Sequence, residues 1–346
     1  YPVIIQNRSL YDGDPKYFAE QMTKFASCGV KIIGGCCGTT PAHISELKAL
    51  IPSFSTGQAA LNSPQSIQTT EEMAQSLFWD KLIRGEKVVA VELDPPSDVT
   101  LSKFMSGAWT LKGAGADIIT IADCPIGRAR MDSSMLSCKI RREIGIDALP
   151  HMTCRDRNLN ATKALLLGQY AEGIRNVLLV TGDPVPTAER NEVKSVFQFN
   201  SRKLAAFVNT LSQNLLPGPF HIFCALDLNA HNFDIQLRLA KEKIKNGAVG
   251  FLTQPVLSEN ALNNLKKAHD SLDAYILGGI IPVVSAKNAR FMDNEVNGIN
   301  VDPEIIQMYE GLDRAEAEDL AVKLSLDFAR KMADYIDGYY LMTPFG

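Results

Sequence analysis

Glu92 closes the apolar run Val88-Val89-Ala90-Val91 and is followed by Leu93, Asp94 and two prolines. A carboxylate at the end of such a run is poorly solvated. Poor solvation disfavours the ionised form, raises the pKa and suits the group to donate a proton near neutral pH. The bland alternative is a structural carboxylate held in a buried ion pair. A second constellation is Val180-Thr181-Gly182-Asp183-Pro184. Gly182 permits close backbone approach by a flat ligand, and Asp183 can accept hydrogen bonds from ring N–H groups. Gly-Asp-Pro is also an ordinary loop. Gln254, in Thr253-Gln254-Pro255, offers an amide that both donates to and accepts from a heterocycle; otherwise it is only a strand terminus. Cys36 and Cys37 sit in a glycine turn and could present two thiolates to one zinc ion, which needs further ligands. No other cysteine before residue 52 is a convincing third, so the metal site is incomplete, and two inert thiols explain the pair equally well.

These groups need a frame. From residue 71 onward, strand-like runs fall at Val88–Leu93, Asp117–Ile121, Leu149–Met152, Asn176–Val180, Phe220–Ala225, Gly250–Thr253, Tyr275–Ile280 and Tyr339–Met342. Helical stretches at 99–113, 133–143, 160–172, 201–213, 234–245 and 313–335 separate them. Short apolar runs alternating with helical patterns signal parallel strands joined by crossover helices. The fold class is therefore α/β. Eight strands fit a closed (β/α)8 TIM barrel better than an open, doubly wound sheet. In a barrel, active groups belong at the carboxyl ends of the strands. Glu92, Asp94, Asp123, His151, Thr153, Asp183 and Gln254 all take that position. Any one of them could instead cap the helix that follows; the whole set on one rim is harder to explain that way.

Before residue 71 the pattern changes. Residues 15–28 have helical spacing, Val30–Ile33 reads as a short buried strand, and the turn Gly34–Thr40 leads into a helix with Pro41 near its start. Residues 52–70 are rich in Ser, Gln, Thr and Pro and read as a linker. The expected layout is a partial second β/α barrel over 1–51, the linker, and the complete barrel over 71–346. The start at Tyr1 and the stop four residues after Met342 read as the limits of a fragment.

Composition narrows the class of function. With 46% hydrophobic residues among 346, a sizeable core can be buried. A net charge of −4 carries no electrostatic footprint for nucleic acid or an anionic membrane. No apolar run approaches the roughly 18 residues of a membrane span, and no signal-peptide pattern opens the chain, which points to the cytoplasm. Seven cysteines, only two of them adjacent, argue against a disulfide framework. Neither a G-x-x-x-x-G-K-[ST] loop nor G-x-G-x-x-G occurs.

Two resemblances then enter on particular residues. GVKIIGGCCGTTPAHI (29–44) resembles the end of a homocysteine S-methyltransferase domain, whose GGCC turn gives two of three zinc-binding cysteines. By that resemblance Cys36 and Cys37 are two ligands of a zinc site whose third lies on a strand this chain does not contain, and methyl transfer is not expected here. VAVELDPP, ADIITIADCP, LPHMTCRDRN, NVLLVTGDP, KNGAVGFLTQPV and GGIIPVVSAKNARF occur in the order and spacing of methylenetetrahydrofolate reductases, covering almost all of 71–346. Their pairing resembles the bifunctional methyltransferase/reductase proteins.

The second resemblance implies FAD-dependent, ping-pong reduction of 5,10-methylenetetrahydrofolate by NAD(P)H, in one-carbon and methionine metabolism. It implies that Glu92 is the general acid, that Asp183 is the acid near flavin and folate, and that Gln254 contacts folate. Ala122, Asp123, His151, Thr153, Gly182, Asn200, Ser201, Asn229 and Lys243 correspond to flavin contacts; by spacing alone Lys243 is an exposed helix lysine. The chain departs from the family at Thr181, where an arginine often precedes Gly-Asp, and at Ala122-Asp123. The expected partners are folate and a fused methyltransferase domain, with a homo-oligomer as a further option, and with no nucleic acid or membrane. The rival reading is a non-catalytic folate-binding module serving the methyltransferase.

Overall fold

The computed structural model describes residues 3–5, 8–10, 13–27, 30, 32–50, 76–296 and 298–343, and the chain divides into two units, Tyr1–Ile67 and Gln68–Gly346. In the first unit β1 (Val3–Ile5) pairs antiparallel with β2 (Arg8–Leu10), and α1 (Pro15–Ser27) and α2 (Pro41–Leu50) follow. Buried His43 ties the unit together. Its Nε2 lies 2.7 Å from the Gly13 carbonyl, which can only accept, so that nitrogen carries the proton and Nδ1 accepts from Thr40. Val30–Ile33 is not the expected buried strand. Its described residues lie outside any ladder and Ile32 is 91% exposed. A strand needs neighbours to pair with, and among the described residues of this unit only the antiparallel β1–β2 pair exists. The linker expected at 52–70 lies outside the described residues.

In the second unit α3 (Leu77–Ile83) precedes β3 (Val88–Glu92), α4 (Ser102–Gly113), β4 (Ile118–Ile121), α5 (Ser133–Glu143) and β5 (Asp147–Thr153). The chain continues through α6 (Leu159–Ala171), β6 (Asn176–Val180), α7 (Ser201–Leu215), β7 (His221–Leu226), α8 (Phe233–Lys245), β8 (Ala248–Pro255), α9 (Glu259–Ser271) and β9 (Tyr275–Ile280). Three helices, α10 (Ala286–Glu295), α11 (Pro303–Met308) and α12 (Arg314–Met332), then lead to β10 (Gly338–Met342). All eight strands from β3 to β10 are parallel and close into a barrel, β10 pairing with both β9 and β3.

Local chemistry sets the boundaries. Asp132, Asn158, Asn200, Asn232, Ser258 and Ser285 each accept a hydrogen bond from the first turn of the helix they precede, and Asp313 forms a capping box with Glu316. Gly115 and Gly247, at φ +93° and +101°, end α4 and α8 and turn the chain into the next strand.

Strand side chains alternate between the barrel's two faces. The inward phase builds one interior layer to which every strand contributes: Val88 and Ala90, Ile118, Leu149, Leu178, Phe223, Leu252, Leu277 and Tyr340. From the amino end α3 plugs this layer with fully buried Phe78 and Leu82, Phe78 meeting Phe223 at 5.7 Å between ring centroids. Outward-facing side chains pack beneath the helices, except at the closure. There Val89 and Val91 of β3, Tyr339 and Leu341 of β10, Leu111 of α4 and Leu326 of α12 line an apolar groove of about 750 Å³. No helix of the described residues covers it.

Candidate active site

Two residues beyond the apolar layer, the inward phase turns polar. Glu92 stands two positions after Ala90, Thr120 two after Ile118, His151 two after Leu149 and Gln254 two after Leu252. β3 and β4 place Glu92 opposite Thr120. Pleat alternation therefore gathers an acid, a hydroxyl and an imidazole at the carboxyl mouth, with an apolar floor beneath them, while Gln254 lies in an irregularity of β8 between Leu252 and Pro255.

Glu92 is the centre of this layer. Its Oε2 accepts a hydrogen bond from the Tyr340 hydroxyl and lies 3.8 Å from His151 Nε2. Burial raises its pKa to about 7; the Tyr340 hydrogen bond works against that rise and the charge of Asp94 adds to it. About a fifth of the side chain still reaches solvent, so the proton it holds can be exchanged. Burial likewise raises Asp94, with Arg130 opposing. His151 goes the other way: burial lowers its pKa to about 4, the Asp123 charge opposing, and the ring is neutral at physiological pH. Its Nε2 is buried without a hydrogen-bond partner among the described residues. Tyr340, buried beside Glu92, is pushed well above its ordinary pKa and stays a donor.

The other expected residues divide between the mouth and the scaffold. Asp123 is buried and engaged, accepting from the Thr153 amide (2.9 Å) and hydroxyl (3.0 Å) and from Arg157 Nη1 at 2.7 Å. It braces the end of β4 to the end of β5, and Ala122 is buried beside it. Gly182, at φ +92°, needs to be glycine for a second reason, since a Cβ there would meet the Thr153 side chain at 2.8 Å. The next residue, Asp183, is exposed, and its carbonyl accepts from Arg155 Nη1 at 3.1 Å. Arg155, itself 2% exposed, also reaches the Cys124 carbonyl and so ties together the loops after β4, β5 and β6. Asn200 caps α7, and Ser201 hydrogen-bonds Thr181 through its amide and hydroxyl.

Asn229 donates to the Pro255 and Gly298 carbonyls, while its Oδ1 is buried with no partner among the described residues. Gln254 packs against the loop at Gly298. Lys243 is not the exposed helix lysine of the spacing argument. Its Nζ turns inward to the Ala225 carbonyl at 2.8 Å, and burial lowers its pKa. Tyr340 is the mouth residue that sequence reasoning missed, because in an apolar run its ring reads as core. The available signal was its inward phase, shared with Gly338 and Met342.

A flat heterocycle fits this mouth in a specific respect. Buried His151 Nε2 and Asn229 Oδ1 are polar atoms left unpaired at strand ends, and such atoms call for a partner. In the other unit the Cys36 and Cys37 sulfurs lie 3.7 Å apart and exposed; among the described residues no group of three His, Cys, Asp or Glu is arranged to hold a metal ion.

Comparison with known proteins gives concordant results. The family profile for methylenetetrahydrofolate reductase matches residues 78–343, and that for homocysteine S-methyltransferase matches residues 1–51. Methylenetetrahydrofolate reductase 2 of Saccharomyces cerevisiae is 22% identical over 212 residues, 60% of this chain and 33% of the yeast protein. 5,10-Methylenetetrahydrofolate reductase of Escherichia coli is 23% identical over 178 residues, 50% of this chain and 56% of that protein. Methionine synthase of Mycobacterium tuberculosis is 33% identical over 93 residues, 26% of this chain and 8% of that protein. The aligned segments thus span between a twelfth and rather more than half of these relatives. Among solved structures, an uncharacterized Clostridium thermocellum protein described as binding two copies of 5-methyl-5,6,7,8-tetrahydrofolic acid superposes with a TM-score of 0.54 at 15% identity, covering 78% of this chain and 94% of that one. It shares the fold.

Proposed function

Because the chain belongs to the methylenetetrahydrofolate reductase family over residues 78–343, we propose that it reduces 5,10-methylenetetrahydrofolate to 5-methyltetrahydrofolate, with FAD as bound carrier and NAD(P)H as electron source. The observation that carries this reading is Glu92 at the barrel mouth, poised near pH 7 beside an unpaired His151 nitrogen. Bound FAD would supply hydride chemistry, accepting two electrons from the nicotinamide and returning them to the folate. His151, Gly182 and Ser201 are the side chains and backbone that would meet the flavin, with Asn229 and Lys243 beyond them. Asp123 and Thr153 act by fixing the strand ends.

Glu92, half protonated near pH 7 and protonated below it, delivers its proton to the folate ring nitrogen as the C–N bond to the one-carbon unit breaks. The resulting iminium is cationic, and the exposed Asp183 carboxylate at the same rim would stabilise it. The apolar layer under Glu92 keeps water from approaching from below. Nicotinamide and folate use the mouth in turn, which gives ping-pong kinetics. The folate described in the Clostridium neighbour supports this substrate class. A folate-binding module without reductase activity is the second reading, favoured by Thr181 in place of the family arginine.

Residues 1–51 are assigned to the carboxyl-terminal part of a methyltransferase domain and 52–70 to a linker. In that domain Cys36 and Cys37 would supply two thiolates to zinc, and methyl transfer is not assigned to this chain. An absorbance spectrum of the purified protein followed by anaerobic NADH or NADPH addition tests the reading. The expected result is flavin bands that bleach and return on adding methylenetetrahydrofolate; a colourless protein that FAD cannot reconstitute would leave only the folate-binding module.

A further inference from the structure

Tyr340 is placed as no other hydroxyl in the barrel is. It belongs to the last strand, yet β10 closes onto β3 with Tyr340 opposite Ala90 and Met342 opposite Glu92. From two residues lower, the tyrosine side chain spans the step and puts its hydroxyl on Glu92 Oε2. No described residue hydrogen-bonds the other oxygen, Oε1. The carboxyl group is thus held by one oxygen only.

We propose that Tyr340 is a positioning residue, locking Glu92 through Oε2 so that Oε1 is the oxygen that carries and delivers the proton. The inference rests on the reductase reading for its chemistry, but its geometry does not. A phenol donating to a carboxylate favours the ionised form, so Tyr340 sets an upper bound on how firmly Glu92 keeps its proton. The groups facing Glu92 are few: Tyr340 from β10, Thr120 from β4, neutral His151 from β5, and Asp94 in the following turn, itself paired electrostatically with Arg130. Of these, only Tyr340 hydrogen-bonds the Glu92 carboxylate. Removing its hydroxyl should raise the Glu92 pKa, making the acid more often protonated and less willing to give the proton up. The same change frees the carboxyl to rotate. A residue that merely filled space would do neither.

The test begins without cofactor or substrate. In the folded chain the infrared carboxyl band lost in Glu92→Gln identifies Glu92, and its titration is followed against pH. The expected midpoint, near 7 in the wild type, moves upward in Tyr340→Phe. Site-specific 3-fluorotyrosine at 340, a stronger donor, moves it downward and covers the case in which the phenylalanine variant folds poorly. Unchanged midpoints in either folded variant overturn the proposal. In the holoenzyme the folate half-reaction of Tyr340→Phe should fall about tenfold, as loss of a hydrogen bond to a charged group implies. Its alkaline limb should shift up with the infrared midpoint, while flavin reduction by nicotinamide is unchanged. A wild type that titrates as expected yet reduces no folate would remove the reductase reading and leave the Tyr340–Glu92 pair intact.

Discussion

The barrel holds a buried polar cluster with a histidine at each end, and the two are built differently. At the amino end, His221 Nδ1 donates to Asn176 Oδ1 at 2.9 Å, Asn176 donates to Ser76, and Ser76 donates to Asp147, which also accepts from the Phe78 amide and Arg141. Trp79 stacks on His221 at 3.9 Å between ring centroids. Each of these links has a partner, and together they dock the plug helix α3. At the carboxyl end, among the described residues, His151 and Asn229 each keep an unpaired buried atom, and Glu92 keeps an oxygen without a hydrogen bond beside partial solvent access. Burial lowers both histidines to about 4, so the shift alone does not mark a site. Orphaned atoms alone do not either, since Ser137 and Gln169 Oε1, away from the mouth, are also unpaired. What separates the ends is convergence: unsatisfied groups with different proton affinities on one inward layer.

The contrast can be broken by substitution. The largest effect is expected for Glu92→Gln, which should keep FAD binding and lose about 10²–10⁴ in the folate half-reaction by stopped-flow; near-normal turnover would remove Glu92 as the acid. At the other end Asp147→Ala strips an acceptor from Ser76, Phe78 and Arg141. It should cost about 3 kcal/mol in urea denaturation while leaving the turnover of the folded fraction unchanged. A kinetic defect there without a stability defect would erase the distinction between plug and mouth.

A subtler separation comes from pH. The active form of Glu92 is protonated, and its pKa is raised to about 7, so the folate half-reaction should be flat below 7 and fall about tenfold per unit above it. His221 affects stability instead. Its folded pKa is depressed to about 4, so the unfolded chain binds the extra proton between roughly 6.5 and 4, and stability falls as pH drops through that window. In His221→Gln the fall should be shallower, as read from denaturation midpoints, with the alkaline limb of activity unmoved.

Much of this was legible in the chain itself, for a definite reason. Parallel strands are covered on both faces and read as short continuous apolar runs, so all eight were visible to within a few residues, as were the polar residues at the ends of five of them. Pairing across sequence distance was not legible. Asp123 reads as a free acid because Arg157, its partner, stands 34 residues away. The seven residues of α3 are too few for periodicity to reveal a plug. Val30–Ile33 has the composition of a buried strand, and composition does not say whether neighbours exist to bury it.

The groove at the closure bears on how the barrel comes apart. Elsewhere helices pack over neighbouring strand pairs, α5 on β4 and β5, α7 on β6 and β7, and α8 on β7 and β8; the groove beside β3 and β10 is lined instead by Val322 and Leu326, which are 62% and 50% exposed. Amides along that seam should exchange with solvent ahead of the rest of the sheet, opening as a zip opens from its unstitched end. Because Glu92 and Tyr340 sit on those two strands, the first fluctuation to loosen the barrel would also be the one that pulls the acid from its holder.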